Sequence, residues 1–362
     1  MTLALRWYGP DDPVSLAAIR QIPGVEGVVT ALHDVPAGEA WTADDVRQRR
    51  EEIEAAGLRW VAVESIPTPE RLKLGADGWQ ADADVFARSV EAVGAALPGA
   101  VVCYNWMPVF DWARTDLAHR RPDGSTALAY RHADLGRIED ALVEGGLPGW
   151  AVAYTGAELA ELRAAYAALP DGALWDTLGA FLEAVCPAAE AAGVGLAVHP
   201  DDPPWPVFGL PRILTSGDAL RRVTSLVESP ANGVCLCSGS LGANPDEAAR
   251  LPETVRQLGE RIHFVHLRNV AHGATHADGA TDFEETAHAD GAVDLAAVVA
   301  ALADVGFDGP LRPDHGRAIW SETDDAATRP GYGLYDRALG AAYLRGLWDA
   351  VTRRAPASFF VA

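Results

Sequence analysis

The sequence predicts an α/β fold, a (β/α)8 barrel that occupies residues 1–362 as a single domain. Short runs rich in Val, Leu and Ile recur along the chain without strict alternation, as expected for parallel strands covered on both faces. Helical patterns separate most of these runs. Eight strands that alternate with helices fit a chain of 362 residues as one barrel.

The predicted strands and helices follow from these runs and from local stop and start signals. The strands are LALRWY (3–8), EGVVTAL (26–32), LRWVAVES (58–65), AVVCYNW (100–106), GLAVHP (195–200), GVCLCS (233–238), IHFVHL (262–267) and GPLRPDH (309–315). The helices are 42–57, with a Thr cap and a terminal glycine, 81–97, 174–193, 245–260 and 293–306.

A doubly wound open sheet is the alternative to this barrel. Such sheets usually carry a glycine fingerprint after the first strand. Here SGSLGANP (238–245) is only a loose match, which any glycine-rich loop between a strand and a helix could produce. The patterns therefore favour the barrel.

Two regions depart from the simple repeat. Residues 107–193, between strands 4 and 5, are too long for one crossover, and we expect a helical insertion that includes 156–169. Residues 268–292, after strand 7, are polar and rich in Gly, His and Asp. Loops of that length in compact domains are usually functional lids or disordered segments, so we expect a long polar loop that forms an active-site lid.

Composition limits the function classes. The chain is 49% hydrophobic and 22% charged, which suits a globular protein with a large core. The formal charge of −22 argues against nucleic acid as a partner, because phosphates attract basic faces. The sequence contains no apolar stretch of membrane-spanning length, no signal-peptide pattern and no disulfide framework among its four cysteines. We therefore expect a cytoplasmic protein without membrane partners.

Four possible metal ligands end four consecutive predicted strands: His199, Cys237, His266 and Asp314. In a barrel, catalytic groups come from the C-terminal ends of several strands. Two imidazoles, one thiolate and one carboxylate suit Zn²⁺ or Fe²⁺, and the carboxylate also admits Mn²⁺. Each residue alone is more often structural, but the coincidence over four strands predicts a metal site.

Other strand ends supply polar groups to the same mouth of the barrel. Because side chains alternate along a strand, Arg312 shares a face with Asp314, and Cys235 with Cys237. Cys235 is expected to be a small buried hydrophobe, His263 to be structural, and the loop histidines 272, 276 and 288 to be solvated. The remaining groups predict a pocket for a polyhydroxylated, anionic ligand, and they are Arg6, Tyr8, His33, Glu64, Asn105 and Arg312.

Long motifs give the chain a close resemblance to the mannonate dehydratase family, whose fold is a TIM barrel of the xylose isomerase-like group. HPDDPPWPVFGLPRI (199–213) and RPDHGR (312–317) carry most of the weight. The resemblance extends nearly from end to end through RWYGPDDPVSL (6–16), GVVTALHDVPAGEAW (27–41), VESIP (63–67), CYNWMPVFDWARTDL (103–117), CSGS (237–240), HLRNV (266–270) and PGYGLYDRALGAAYLRGLW (330–348).

The resemblance implies a lyase that dehydrates the sugar acid D-mannonate to 2-dehydro-3-deoxy-D-gluconate in hexuronate (glucuronate) catabolism, with Mn²⁺ or Fe²⁺ as cofactor. It also implies a possible homodimer. The family's metal ligands fall on His199, Cys237, His266 and Asp314. Thiolate chemistry alone would also favour Zn²⁺, but metal supply and site geometry often decide metal identity over raw affinity.

The acid and base of such a dehydration are expected next to the metal ligand Asp314. His315 follows Asp314 directly, and Tyr332 lies in PGYGLYD. Imidazole has a pKa suited to general catalysis without further help, whereas a tyrosine needs a nearby cation. Two other functions stay open: a metal-dependent sugar isomerase or epimerase, whose sites usually use carboxylate-rich ligand sets, and a non-catalytic protein that binds a sugar acid.

Overall fold

Eight parallel strands close into a barrel in the computed structural model, which describes residues 1–137, 154–320, 322 and 328–352. The barrel strands are β1 (Thr2–Arg6), β2 (Gly27–Thr30), β3 (Arg59–Glu64), β4 (Val101–Asn105), β7 (Gly195–His199), β8 (Asn232–Cys237), β9 (Ile262–Leu267) and β12 (Pro310–Pro313). Each pairs with its neighbours in parallel, and β1 closes the ring by pairing with both β2 and β12. The predicted barrel is confirmed.

Helices cover the outside of the barrel. They are α1 (Leu16–Arg20), α2 (Ala43–Ala55), α3 (Glu70–Lys73), α4 (Trp79–Ala96), α5 (Gly156–Ala167), α6 (Ala173–Ala192), α7 (Gly217–Thr224), α8 (Ser238–Leu241), α9 (Pro245–Leu258), α10 (Leu295–Asp304) and α11 (Tyr335–Thr352). The expected Thr cap is present, since the Asp45 backbone N–H donates to Thr42 Oγ1 over 3.2 Å. None of the helices in the described ranges is long and apolar enough to cross a membrane.

A second, antiparallel sheet corrects two expectations for the regions outside the repeat. It contains β5 (Asp116–Arg120), β6 (Thr126–Tyr130), β10 (Asn269–Thr275) and β11 (Thr281–Thr286), in the order β10-β11-β6-β5. The insertion after β4 therefore begins with strands before the predicted helix α5, and its residues 138–153 lie outside the described part. The segment after β9 is a hairpin rather than a long loop. Its many polar side chains concealed the strand pattern, although Val270, Ala280 and Phe283 are buried in a hydrophobic cluster.

The barrel interior is layered, because every second residue of each strand points inward. The lower layer is mostly small and apolar, and it includes Ala4, Ala62, Cys103, Ala197, Cys235 and Phe264. Two residues further along these strands stand the polar side chains of the upper layer: Arg6, Glu64, Asn105, His199, Cys237 and His266. The upper layer therefore lies at the C-terminal mouth of the barrel, where catalytic groups are expected.

We expect the contact between α6 and the β4 side of the barrel to be a main source of stability. Phe181 is fully buried, with its ring centroid 5.0 Å from those of Phe86 and Trp106. Phe181→Ala should lower the free energy of unfolding by about 3–5 kcal/mol, because it leaves a cavity in a packed core. Urea unfolding would measure this change. Exposed Glu183 on the same helix is the control, and Glu183→Ala should change stability by less than about 0.5 kcal/mol.

Candidate active site

The four predicted metal ligands meet at the mouth of the barrel. His199 and Cys237 are the last residues of β7 and β8, His266 is the penultimate residue of β9, and Asp314 follows β12. Ligand atoms of His199, Cys237 and His266 lie within 4.8 Å of one another. Asp314 completes the group: its Oδ2 is 3.5 Å from Cys237 Sγ and its Oδ1 is 3.9 Å from His266 Nδ1.

Hydrogen bonds orient this group as a metal site requires. The Nδ1 of His199 lies 2.7 Å from the Pro200 carbonyl oxygen, so Nδ1 donates and the lone pair of neutral imidazole stays on Nε2. That Nε2 lies 3.2 Å from Nδ1 of His266, whose other ring nitrogen is on the side of Glu64. A cation between the two imidazoles would satisfy both lone pairs. Nitrogen, sulfur and carboxylate donors of this kind fit a transition-metal ion.

A cavity of about 390 Å³ opens onto the metal-binding group. The predicted substrate residues all line it, and so do both acid/base candidates; these residues are Arg6, Tyr8, His33, Glu64, Asn105, Arg312, His315 and Tyr332. Of the four candidate ligands, His199 and Asp314 line the cavity, whereas Cys237 and His266 are completely buried and do not line it. Residues that were not predicted, including Asp111 and Trp112 from the insertion, also contribute to the wall.

Charged residues in the cavity are arranged in pairs. Glu64 lies 3.2 Å from Arg6 Nη1 in an ion pair and accepts a hydrogen bond from Arg312 Nη2 at 2.9 Å, and Arg312 also contacts Asp314 at 2.7 Å. Burial by itself raises the pKa of Glu64, but Arg312, His266 and Arg6 outweigh that effect and hold the pKa well below its usual value. Glu64 is therefore an anion at neutral pH.

His33 is held neutral at the rim of the cavity. Burial lowers its pKa to about 3, and the charges of Arg6, Arg329 and Arg49 add to the shift. Its ring lies 5.6 Å from that of Tyr8, whose face carries the Arg6 guanidinium at 4.7 Å. A neutral imidazole can both donate to and accept from a sugar hydroxyl.

His315 and Tyr332 form a hydrogen-bonded pair. Both carboxylate oxygens of Glu285 lie near Nδ1 of His315, at 2.9 and 3.0 Å, so Nδ1 donates to Glu285. The opposite nitrogen, Nε2, is 3.1 Å from the Tyr332 hydroxyl. Burial holds the pKa of Tyr332 well above its ordinary value, so the phenol keeps its proton at neutral pH.

A buried ion network lies beneath this pair, and the sequence analysis did not identify it. Arg268 donates to Asp314 at 2.8 Å, to Glu285 at 3.1 Å and to Asp202 at 2.6 Å. Arg114 joins Asp202 and Glu285, each at 2.8 Å. Arg268 and Asp202 stand in the HLRNV and HPDD motifs, but Glu285 belongs to the unpredicted strand β11, so no sequence pattern connected the three.

The remaining histidines have structural contacts. His263 Nδ1 donates to the Leu196 carbonyl oxygen at 2.7 Å, in agreement with the structural role expected for it. The expectation that His288 is solvated is wrong, because it is buried and its Nε2 donates to the Leu267 carbonyl oxygen at 3.0 Å. His272 and His276 are half-buried in and beside the hairpin, where each ring has a hydrogen-bond partner.

A parallel barrel with metal-binding side chains, an ordered His–Tyr pair and a cavity at its C-terminal mouth is the architecture of a barrel enzyme. The family model for D-mannonate dehydratase (UxuA) matches residues 1–358. The chain belongs to this family. It is therefore a hydro-lyase of a metal-dependent dehydratase family whose substrate is a sugar acid.

Individual relatives agree with this assignment. The chain is 44% identical to mannonate dehydratase from Streptococcus agalactiae serotype Ia, over 98% of this chain and 99% of the relative. It is also 44% identical to mannonate dehydratase 2 from Halalkalibacterium halodurans, over 97% of this chain and 100% of the relative. The crystal structure of mannonate dehydratase from Streptococcus suis serotype2 superposes with a TM-score of 0.85 at 42% identity, covering 97% of this chain and 95% of that one.

The barrel itself is shared more widely. A D-psicose 3-epimerase structure from Clostridium cellulolyticum H10 superposes with a TM-score of 0.57 at 11% identity, covering 96% of this chain and 99% of that one. At this identity the likeness shows the fold alone. It confirms the predicted TIM-barrel fold, which a xylose isomerase domain protein from Planctomyces limnophilus also has, and membership of the dehydratase family favours an enzyme over a non-catalytic binding protein.

The stability that Glu285 contributes should be lost in acid. Burial opposes its ionisation, but His315, Arg268 and Arg114 lower its pKa to about 2, below the value of about 4.3 in an unfolded chain. Its contribution is therefore complete above about pH 5 and disappears as the pH falls through about 2. We expect the difference in unfolding free energy between wild type and Glu285→Gln, measured in urea, to shrink between about pH 6 and 3.

A difference that stays constant over this range would contradict the role of the ion network. The matched control is exposed Glu91 on α4. Glu91→Gln should change the free energy of unfolding by less than about 0.5 kcal/mol at pH 6.

Proposed function

We propose that this chain converts D-mannonate to 2-dehydro-3-deoxy-D-gluconate and water, with Mn²⁺ or Fe²⁺ held by His199, Cys237, His266 and Asp314. The observation that carries the proposal is one cavity lined by His199, Asp314 and the His315–Tyr332 pair, with Cys237 and His266 grouped behind His199. The bound ion would act as a Lewis acid that polarises substrate oxygens. We further propose that this step serves hexuronate breakdown in the cytoplasm and that the enzyme is a dimer.

Arg6 would bind the carboxylate end of the substrate. The chain as a whole carries a formal charge of −22, so an anionic substrate needs a local positive group. Arg6 Nε and Arg312 Nη1 are both buried without a hydrogen-bond partner among the described residues, but Arg312 also donates two hydrogen bonds to Glu64 and contacts Asp314, whereas Arg6 contacts Glu64 through Nη1 alone. Arg6 therefore has more donor capacity for a ligand than Arg312.

His33, Asn105 and Tyr8 would bind and position the hydroxyl groups of the substrate. They stand around the rim with neutral polar groups. Asn105 donates through Nδ2 to Asp111 at 2.8 Å and accepts from the Met107 backbone N–H at 3.1 Å, so its amide is fixed in place. Side chains that are held before the substrate arrives lose little freedom on binding, which favours affinity and correct orientation.

His315 would remove the proton from C2 of the substrate, and Tyr332 would protonate the hydroxyl that leaves from C3. The Glu285 contact keeps the proton of neutral His315 on Nδ1 and leaves Nε2 able to accept one. Glu285 also stabilises the imidazolium that forms, because it stays ionised. Tyr332 keeps its proton because burial raises its pKa, which suits a general acid and not a base.

Substitution of either residue of this pair should lower turnover by about 10²- to 10⁴-fold. The two variants are His315→Gln and Tyr332→Phe, measured in a mannonate dehydration assay with metal content held constant. Exchange of the C2 proton in deuterated water, followed by NMR, separates the roles. Tyr332→Phe should retain exchange and His315→Gln should lose it.

The matched controls are His263→Gln and Tyr130→Phe, at residues that lie outside the cavity lining and have their own hydrogen bonds. Both should stay within a few-fold of wild-type turnover. Near-normal turnover of His315→Gln or Tyr332→Phe would remove that residue from the chemistry.

Removal of the metal should abolish activity. We expect a strong chelator to inactivate the enzyme and Mn²⁺ or Fe²⁺ to restore it, with elemental analysis reporting the bound metal in each state. Cys237→Ala should bind less metal, whereas Cys186→Ala, a buried cysteine on α6, should bind as much as wild type. Full activity in chelator without bound metal would refute the proposed metal site.

A further inference from the structure

A second group of metal-binding side chains lies in the barrel directly below the candidate active site. Cys103 on β4 and Cys235 on β8 each stand two residues before the end of their strand, so they point inward one layer lower than Asn105 and Cys237. Ligand atoms of Cys103, Cys235 and His266 lie within 4.8 Å of one another, and all three residues are buried.

The imidazole of His266 connects this group to the site above. Its Nδ1 faces His199 and Asp314. Its Nε2 is buried, stands 3.4 Å from Glu64 Oε2 outside hydrogen-bonding geometry, and has no hydrogen-bond partner among the described residues. Glu64 is paired with Cys103 across β3 and β4. The unpartnered nitrogen is therefore on the Cys103 side of the ring.

Packing alone does not require sulfur at these two positions. Alanine occupies three equivalent positions of the same layer, at residues 4, 62 and 197, and it fills the barrel there without a polar atom. Two thiols and one imidazole nitrogen that lie within 4.8 Å of one another are thus a donor set next to a layer that is otherwise apolar. The position of Cys103 in the cavity lining gives an ion a route to this donor set.

We propose that Cys103, Cys235 and His266 form a second cation site, selective for thiophilic ions such as Zn²⁺ and Cd²⁺. Two thiolates and an imidazole are soft donors, which favour these ions over Mn²⁺. Zinc–sulfur bonds of about 2.3 Å place neighbouring ligands about 3.7 Å apart, so the three donors need to move inward by about 1 Å. As the metal–ligand bonds form, three protons leave to solvent, two from the thiols and one from Nε2 of His266.

The shared imidazole makes the second site inhibitory. An ion on Nε2 would take the place of the proton on that nitrogen, so His266 would become an imidazolate whose Nδ1 donates more strongly to the catalytic group that it faces. It also adds positive charge next to Glu64, the partner of both cavity arginines. We therefore expect Cd²⁺ to lower the turnover of the Mn²⁺-loaded enzyme, and to do so less in a variant that lacks the two thiols.

The test is a titration of the Mn²⁺-loaded enzyme with Cd²⁺, followed by thiolate-to-cadmium charge-transfer absorption and by counting the cadmium retained per chain. Because Cd²⁺ in excess also replaces Mn²⁺ at Cys237, wild type should retain two Cd²⁺ ions with absorption from three thiolates. Cys103→Ala/Cys235→Ala should retain one ion and one thiolate contribution. Cys237→Ala should keep the two-thiolate signal of the lower site, which separates this proposal from the proposed catalytic site.

Cys186→Ala is the matched control and should behave as wild type, because Cys186 lies on α6 outside the barrel interior. Circular dichroism checks the fold of each variant. If the double variant does not fold, the single variants Cys103→Ala and Cys235→Ala should each lose one thiolate contribution. Retention of only one Cd²⁺ by wild type, or unchanged absorption in the variants without these thiols, would overturn the proposal.

Discussion

The active-site architecture depends on one buried guanidinium, that of Arg268. It bonds the metal-ligand candidate Asp314, the carboxylate Glu285 that orients His315, and Asp202 at the start of the loop after β7. Three carboxylates this close would repel one another in a low-dielectric interior, and Arg268 with Arg114 offsets that repulsion. Arg268 directly follows β9. Through its contacts with Asp314 and Glu285, it fixes the candidate metal ligands relative to the His315–Tyr332 pair.

Side chains point alternately to the two faces of a strand, and this alternation explains which site residues the sequence could predict. His199, Cys237 and His266 stand at or beside the ends of apolar runs, so their common location followed from the barrel alone. Arg312 and Asp314 were placed together by the same rule, and they are in contact at 2.7 Å. Motif resemblance added the reaction, which strand ends alone do not specify.

What the sequence could not predict lies in the second sheet. Its strands are partly exposed, and their pairing is interrupted by register shifts, between His272 and Thr275 for example. In the sequence, Glu285 therefore could not be distinguished from the other acidic residues of the polar segment 268–292. Its partners Arg114 and His315 are remote in sequence, and only the pairing of β6 with β11 brings these elements together. Long-range pairing of this kind leaves no local signal.

The second sheet also has a consequence for how the enzyme matures. Tyr130 of β6 pairs with Phe283 of β11, and closing a loop of roughly 150 residues has an entropic cost that no local contact offsets in advance. Each of the two hairpins, β5–β6 and β10–β11, can form early from local contacts. The four-stranded sheet that they build together forms later, when β6 pairs with β11. Because Glu285 comes from that junction, His315, the proposed general base, gains the carboxylate that orients it only when the two hairpins have paired.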